Sequence, residues 1–221
     1  MLEKLAVVTI DGPAGVGKTT LAQQLATKLG FAYMDTGAMF RALALYLGDF
    51  QKNAINLETE LTKYTFSLHG SGEQTRLLCN NKPLGQEIRT EEVGMRASSL
   101  ATIACVRRYL SHVQRTLGAT TKLVAEGRDM GTVIFPTAQF KFFLDATPEI
   151  RAQRRLNDPK VKQEGVCLEE LTRAIQKRDE QDRNRSLSPL KPAPDAIIID
   201  TSTLNIEEVL NLMLHHINTS L

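Results

Sequence analysis

Cysteine is scarce and scattered: Cys79, Cys105 and Cys167 are odd in number, far apart, unpaired as CxxC and without a neighbouring histidine. That argues against a disulfide framework or a zinc site and predicts three reduced, mostly packed thiols. Long apolar runs are missing as well. The one run near the amino end, Leu5-Ala6-Val7-Val8-Thr9-Ile10, stops at Asp11, too short for a bilayer span and without a small-residue cleavage site. A cytoplasmic protein with no membrane partner is therefore expected. Nor does one sign of charge dominate. Against 25 Asp and Glu stand 27 Lys and Arg, a net +2 that is too small to argue for a nucleic-acid or membrane partner from bulk electrostatics. No internal repeat, low-complexity tract or heptad seam is found, and a monomer is the default.

What is present is an ordinary folding composition, 42% hydrophobic and 24% charged, in 221 residues, enough for one α/β domain with inserted flaps. Residues 5–10 are apolar and β-branched and end at a glycine-rich turn, as a buried parallel strand should. Over 19–29, Leu21, Leu25, Ala26 and Leu29 share a helix face and Gly30 supplies the stop. A short strand over 31–34 ends at Asp35, and a helix over 38–47 is closed by Gly48. Between 49 and 85 the character changes. Strands over 64–68 and 75–79 flank Gly70-Ser71-Gly72, with a polar turn at Asn80-Asn81-Lys82-Pro83, which predicts a small peripheral β insert. Helices over 89–101 and 106–117 precede core strands over 122–125 and 140–144. Pro148 opens a helix, 157–165 is a polar loop, and 168–183 is a charged helix. Three prolines, 189, 192 and 194, break the chain before a strand over 196–199, and Asn205 with Glu208 caps a last helix. The order predicts an α/β fold, a central parallel sheet flanked by helices on both faces.

One motif carries chemistry outright. Gly12-Pro13-Ala14-Gly15-Val16-Gly17-Lys18-Thr19 fits G-x-x-x-x-G-K-[ST] and lies between a buried strand and a helix, where a P-loop must lie. Its backbone N–H groups, the helix N-terminus and Thr20 behind them can cradle the phosphates of ATP. Lys18 reaches the β- and γ-phosphates and the Thr19 hydroxyl is placed to ligate Mg²⁺. A switch GTPase would carry N-K-x-D, but Asn81-Lys82-Pro83-Leu84 lacks the Asp; a motor ATPase would show an apolar strand ending in Asp-Glu, and none is found. A small-molecule kinase remains.

Fifteen of the basic residues are arginine, whose planar fork grips phosphate at two points, and seven of them fall between Arg151 and Arg185. Arg151 and Arg155 share a helix face just ahead of the polar loop, with Arg154 beside them. A short lid carrying arginines onto the phosphoryl group would exclude water and neutralise charge, and Arg154 and Arg155 are the preferred contacts. An ordinary basic helix remains open for Arg151. The four histidines, 69, 112, 215 and 216, lie outside every motif.

Ile10 to Thr20, Asp35-Thr36-Gly37-Ala38-Met39-Phe40-Arg41, Gly127-Arg128-Asp129-Met130-Gly131-Thr132-Val133 and Arg178-Asp179-Glu180-Gln181-Asp182-Arg183-Asn184-Arg185 together resemble bacterial cytidylate kinases. The resemblance extends over nearly the whole chain, the small β insert included. It implies a P-loop kinase moving the γ-phosphoryl of ATP, with Mg²⁺, onto CMP or dCMP. It implies a single domain, with core residues 1–35, 118–156 and 167–221, an acceptor-binding insert over 36–117 and a lid over 157–166. By the same likeness Lys18, Arg128, Arg154, Arg155 and Arg185 serve catalysis. Thr36 belongs to the acceptor site; Arg41, Arg128 and Arg185 hold the acceptor phosphate; Ser98, Arg107 and Asp129 read the base; and Arg178 and Asp182 contact the sugar. The four-residue spacing of that last pair suits an intrahelical ion pair equally well.

The chain departs from the family pattern at three places: Phe40 where Tyr is frequent, Thr36 for Ser, and Glu126 for Asp. UMP or another small phosphorylated metabolite is the alternative acceptor. A different class, a nucleotide-controlled nucleic-acid binder built on the arginines between 151 and 185, is opposed by the low net charge and by acids interspersed through the same stretch. For a kinase site to exist, Arg41, Arg128 and Arg185 must converge opposite Lys18.

Overall fold

The apolar stretches expected as strands pair into one parallel sheet. The computed structural model describes residues 6–49, 56–157 and 167–219. Along the chain run β1 (Val7–Asp11), α1 (Lys18–Leu29), β2 (Ala32–Asp35), α2 (Thr36–Leu47), α3 (Leu57–Leu61), β3 (Phe66–His69), β4 (Arg76–Cys79) and β5 (Lys82–Pro83). Then come α4 (Glu91–Leu100), α5 (Ala104–Thr120), β6 (Leu123–Gly127), β7 (Phe140–Asp145), α6 (Pro148–Leu156), α7 (Leu168–Asn184), β8 (Ile197–Asp200) and α8 (Ile206–Thr219).

The sheet order is β2-β6-β1-β7-β8, every pair parallel, so β1 and its loop sit at the centre. Helices cover both faces, which is why the inner strands read as continuous apolar runs rather than alternating ones. Successive residues of β6 serve opposite cores. Leu123 and Ala125 pack with α2, α4 and α5, while Val124 joins Val8, Ile10, Phe142 and Leu144 against α1 and α8. At the carboxyl ends of the five strands stand Asp11, Asp35, Glu126, Asp145 and Asp200, the edge where open α/β sheets bind their ligands.

Some boundaries differ from the expected ones for identifiable reasons. Helix α2 starts at Thr36, two residues early, because the Asp35 carboxylate caps it, accepting from the Ala38 N–H at 2.9 Å. The polar turn after β4 needs only Asn80 and Asn81, both left-handed with φ of 50° and 62°; Lys82–Pro83 returns as β5, pairing antiparallel with β4. The capping pair at α8 forms in both directions: the Asn205 N–H donates to Glu208 Oε2 at 2.7 Å and the Glu208 N–H to Asn205 Oδ1 at 3.0 Å. Cys79 is buried and Cys105 half-buried, but Cys167 is exposed, its sulfur accepting from the Glu170 N–H as the N-cap of α7. The loop expected over 157–165 lies, beyond Asn157, outside the described residues.

Asp11 decides how two distant loops meet. It closes β1, is only 4% exposed, and accepts from the Met130 N–H at 2.9 Å and the Gly131 N–H at 2.8 Å. Those amides belong to a wide helical turn, Met130–Ile134, directly after Arg128 and Asp129. One carboxylate thereby ties the strand that carries the P-loop to the loop that carries the Gly-Arg-Asp segment. Burial pushes this carboxyl up to about 6, although the two amide donors pull the other way. The unfolded value is 3.8, so folding takes up a proton between the two. The extra stability is present on the acid side and lost as pH climbs through that window. Replacing Asp11 by Asn removes the titration. Urea denaturation across pH 4 to 7 is expected to show the stability difference moving in favour of the variant by up to about 3 kcal/mol. A pH-independent difference would mean that Asp11 titrates normally.

Candidate active site

The P-loop is bent by its glycines against the sheet. Gly12 has φ 151°, and a Cβ there would stand 2.2 Å from the Leu144 carbonyl oxygen on the neighbouring strand. Gly17, left-handed at φ 94°, caps α1, so the free N–H groups of that helix's first turn open onto the loop. Lys18 is 6% exposed and donates from Nζ to the Pro13 carbonyl at 2.6 Å. Burial pushes its ammonium down to about 7, Arg128 and Arg178 lower it further, and Glu126 and Asp11 oppose the fall.

Glu126, at the end of β6, gathers the other polar groups of this corner. Its carboxylate accepts from the Tyr33 hydroxyl, and the Thr19 hydroxyl is near enough to help stabilise its charge. Burial, then Asp35, raises Glu126, while Lys18 and the two hydroxyls hold the rise back. Tyr33 is raised in turn, by burial first and by Glu126 second. Thr19 and Glu126 form a hydroxyl–carboxylate oxygen pair beside the P-loop, the donor type that a hard Mg²⁺ ion shares with phosphates.

Across from Lys18 the arginines are interleaved with acids. The Arg107 guanidinium is buried, donating from Nη1 to the Ala101 carbonyl at 3.1 Å and from Nη2 to Asp129 Oδ2. Its charge lies over the Phe40 ring, 5.7 Å from the centroid. Arg185 Nη2 stands 3.9 Å from Asp129 Oδ1, and its Nη1 3.7 Å from Asp182 Oδ1. Arg128 donates from Nε to Asp182 Oδ2 at 2.8 Å. Burial alone would raise Asp182; Arg128, Arg178 and Arg185 outweigh it and hold the carboxyl below its usual range. Arg178 is pushed down to about 10, first by burial and then by the nearby charges of Arg128, Arg41 and Arg155. Arg185 is lowered too, by burial and then by Arg107. Guanidinium groups from α2, α5, α6, α7 and the loop after β6 thus lie close enough to repel one another. Arg41 also donates to the Ile88 and Thr90 carbonyls, and Gly94 leaves room for its guanidinium, which a Cβ there would meet at 3.0 Å.

Not every expected residue joins this cluster. Arg154, expected to face the transferring phosphoryl, donates here to the hydroxyl and carbonyl of Thr201, just past β8. Thr36 is likewise engaged within the protein. It is 3% exposed and its hydroxyl donates to the Glu126 carbonyl at 2.7 Å, fastening α2 to β6. Ser98 is half-buried on α4. Arg178 and Asp182 share a face of α7, but the ion pair of Asp182 is with Arg128 and Arg185. Asp11 and Tyr33 were not singled out beforehand. A charged residue closing an apolar strand ahead of the P-loop was the available signal for the first; nothing local distinguished the second. No local signal marks Arg89 either, which donates to Asp35 Oδ2 at 2.8 Å, a partner 54 residues away.

The family model described as cytidylate kinase matches residues 8–219. The cytidylate kinase of Oleidesulfovibrio alaskensis is 54% identical over 205 residues, covering 92% of this chain and 94% of that protein. That of Nitratidesulfovibrio vulgaris is 51% identical over 217 residues, covering 97% and 94%. Among solved structures, the shikimate kinase from Bacteroides thetaiotaomicron is similar with a TM-score of 0.51 at 14% identity, covering 96% of this chain and 98% of that one, a likeness of fold alone. With a match spanning its P-loop, its interleaved arginines and its β insert alike, the chain belongs to the cytidylate kinase family.

Proposed function

We propose that the cluster facing Lys18 takes a cytidine monophosphate and transfers to it the γ-phosphoryl of ATP. The observation that carries this is the convergence of Arg107, Arg128 and Arg185 on Asp129 and Asp182, a preformed group of guanidinium forks suited to a phosphate. An acceptor monoester has a second pKa near 6 and arrives as its own nucleophile, so no general base is called for. Transfer between two polyanions demands cations placed ahead of time.

In this reading Lys18 and the loop amides from Gly12 to Thr20 hold the donor phosphates, where a triphosphate would restore the full charge of Lys18. Arg41, Arg128 and Arg185 grip the acceptor phosphate, each able to do so at two points. Arg155 faces the transferring group. Asp129 accepts from the exocyclic amine of cytosine while Arg107 and Ser98 serve its acceptors; uracil would set a carbonyl against Asp129. Arg178 and Asp182 meet the sugar, and dCMP is a second acceptor. Thr19, with Glu126 behind it, would hold Mg²⁺, which would supply positive charge against the donor phosphates. The insert over 36–117 and the lid over 157–166 are part of the same proposal, as are a cytoplasmic location and a monomer. A nucleic-acid surface is disfavoured because Arg151, Arg178 and Arg185 are turned inward, each beside an aspartate.

Release of ADP measured across CMP, dCMP, UMP and AMP tests the acceptor directly; no stimulation by CMP would end the proposal. Lys18→Ala is expected to lower turnover by at least about a thousandfold with every acceptor. Asp129→Asn keeps the volume and a partner for Arg107. It is expected to cut the kcat/KM preference for CMP over UMP by roughly 10- to 100-fold while sparing UMP turnover. Equal loss with both acceptors would remove Asp129 from base recognition.

A further inference from the structure

We propose that the buried ion pair Arg151–Asp179 is a positioning element that makes the donor and acceptor sites feel each other. Arg151 is 2% exposed and heads the largest fully buried side chains of the described residues. Each nitrogen of its fork has its own partner. Nε donates to the Ala146 carbonyl at 2.9 Å, Nη1 to the Ala14 carbonyl at 3.0 Å, and Nη2 to Asp179 Oδ2. Ala14 is at the crest of the P-loop, and Asp179 is on α7 between Arg178 and Asp182. The crest also rests on α6 itself, since a Cβ at Gly15 would come within 3.4 Å of the Arg151 Cβ and carbonyl oxygen. One guanidinium therefore spans from the loop proposed to hold the donor to the helix whose adjoining flank carries the proposed acceptor ligands.

A helix moves as a unit, so what fixes Asp179 also fixes Arg178, Asp182 and Arg185 at its carboxyl end. A triphosphate drawing on the P-loop amides orients Ala14, and through Arg151 and Asp179 it orients the acceptor face of α7. Stability does not require the pair to be charged, because a buried ion pair is often replaced by apolar residues of similar volume without loss. Registering one site against the other is what the apolar replacement would lack. The inference rests on the proposal that α7 binds the acceptor, and the experiment separates the two.

Calorimetry would measure CMP affinity with and without a saturating, non-hydrolysable ATP analogue and Mg²⁺. In the unsubstituted protein the analogue is expected to tighten CMP by about fivefold or more. The double variant Arg151→Met/Asp179→Leu is expected to melt close to the unsubstituted protein and to bind each ligand alone. Its tightening factor should fall toward one. Asp179→Asn, which keeps the hydrogen bond but not the charge, should give an intermediate factor. A merely structural pair would leave the factor intact in the double variant, and that result overturns the inference, as does a factor of one in the unsubstituted protein. Should the double variant fail to fold, an unchanged factor in Asp179→Asn overturns it alone. Arg178→Gln serves as the control: if it leaves CMP affinity untouched, the acceptor reading of α7 fails independently of the coupling.

Discussion

Positive charge held where water is scarce is the constraint around which this molecule is organised. Lys18, Arg107, Arg178 and Arg185 are all largely buried, and each would be costly alone. The fold offsets that cost with carboxylates placed between them: Asp129 between Arg107 and Arg185, Asp182 between Arg185 and Arg128, and Glu126 near Lys18. Burial first, and neighbouring guanidinium groups after it, hold Arg178 and Arg185 below the ordinary arginine range, so like charges remain crowded together in spite of the acids between them.

The parallel sheet makes that arrangement possible because its strands all deliver their carboxyl ends to one edge. Each of the five acids found there has a distinct task, Asp200 accepting from the Ser202 N–H at 2.8 Å. Asp11 fixes the Gly-Arg-Asp loop, Asp35 caps α2 and receives Arg89, Glu126 takes Tyr33 and Thr19, and Asp145 accepts from the Thr201 N–H through its backbone and stands 3.6 Å from Arg183 through its side chain. The longer Glu at 126 remains within reach of the Tyr33 hydroxyl, and the Phe at 40 offers its ring face to Arg107. Two departures from the family pattern are thus absorbed by their neighbours.

Much of this was legible in the linear text, and the part that was not has a common cause. Strand and helix positions followed from periodicity, and the P-loop from its flanks, because those signals are local. Which carboxylates Arg128 and Arg185 meet could not be read locally, since Asp182 and Asp129 respectively lie dozens of residues from them. Among Arg151, Arg154 and Arg155, spacing said that all three occupy one short helix. It could not say that Arg151 turns inward to Ala14 and Asp179 and Arg154 to Thr201. The hydroxyl of Thr36 has the same lesson at smaller scale: a polar side chain in a functional motif was occupied by a backbone carbonyl 90 residues on. Chain position orders side chains along an element, while the tertiary neighbours choose among them.

The crowding at Gly12 ties architecture to chemistry in a way that limits how such a protein can drift. The oxygen of Leu144 fills the space where even a methyl group at position 12 would go, and Leu144 lies on the strand that pairs with β1. Any larger residue would have to push two central strands apart before it could alter the nucleotide cradle. Spacing within the scaffold and curvature of the anion-binding turn are therefore inherited together, and neither can be retuned alone by a point substitution there.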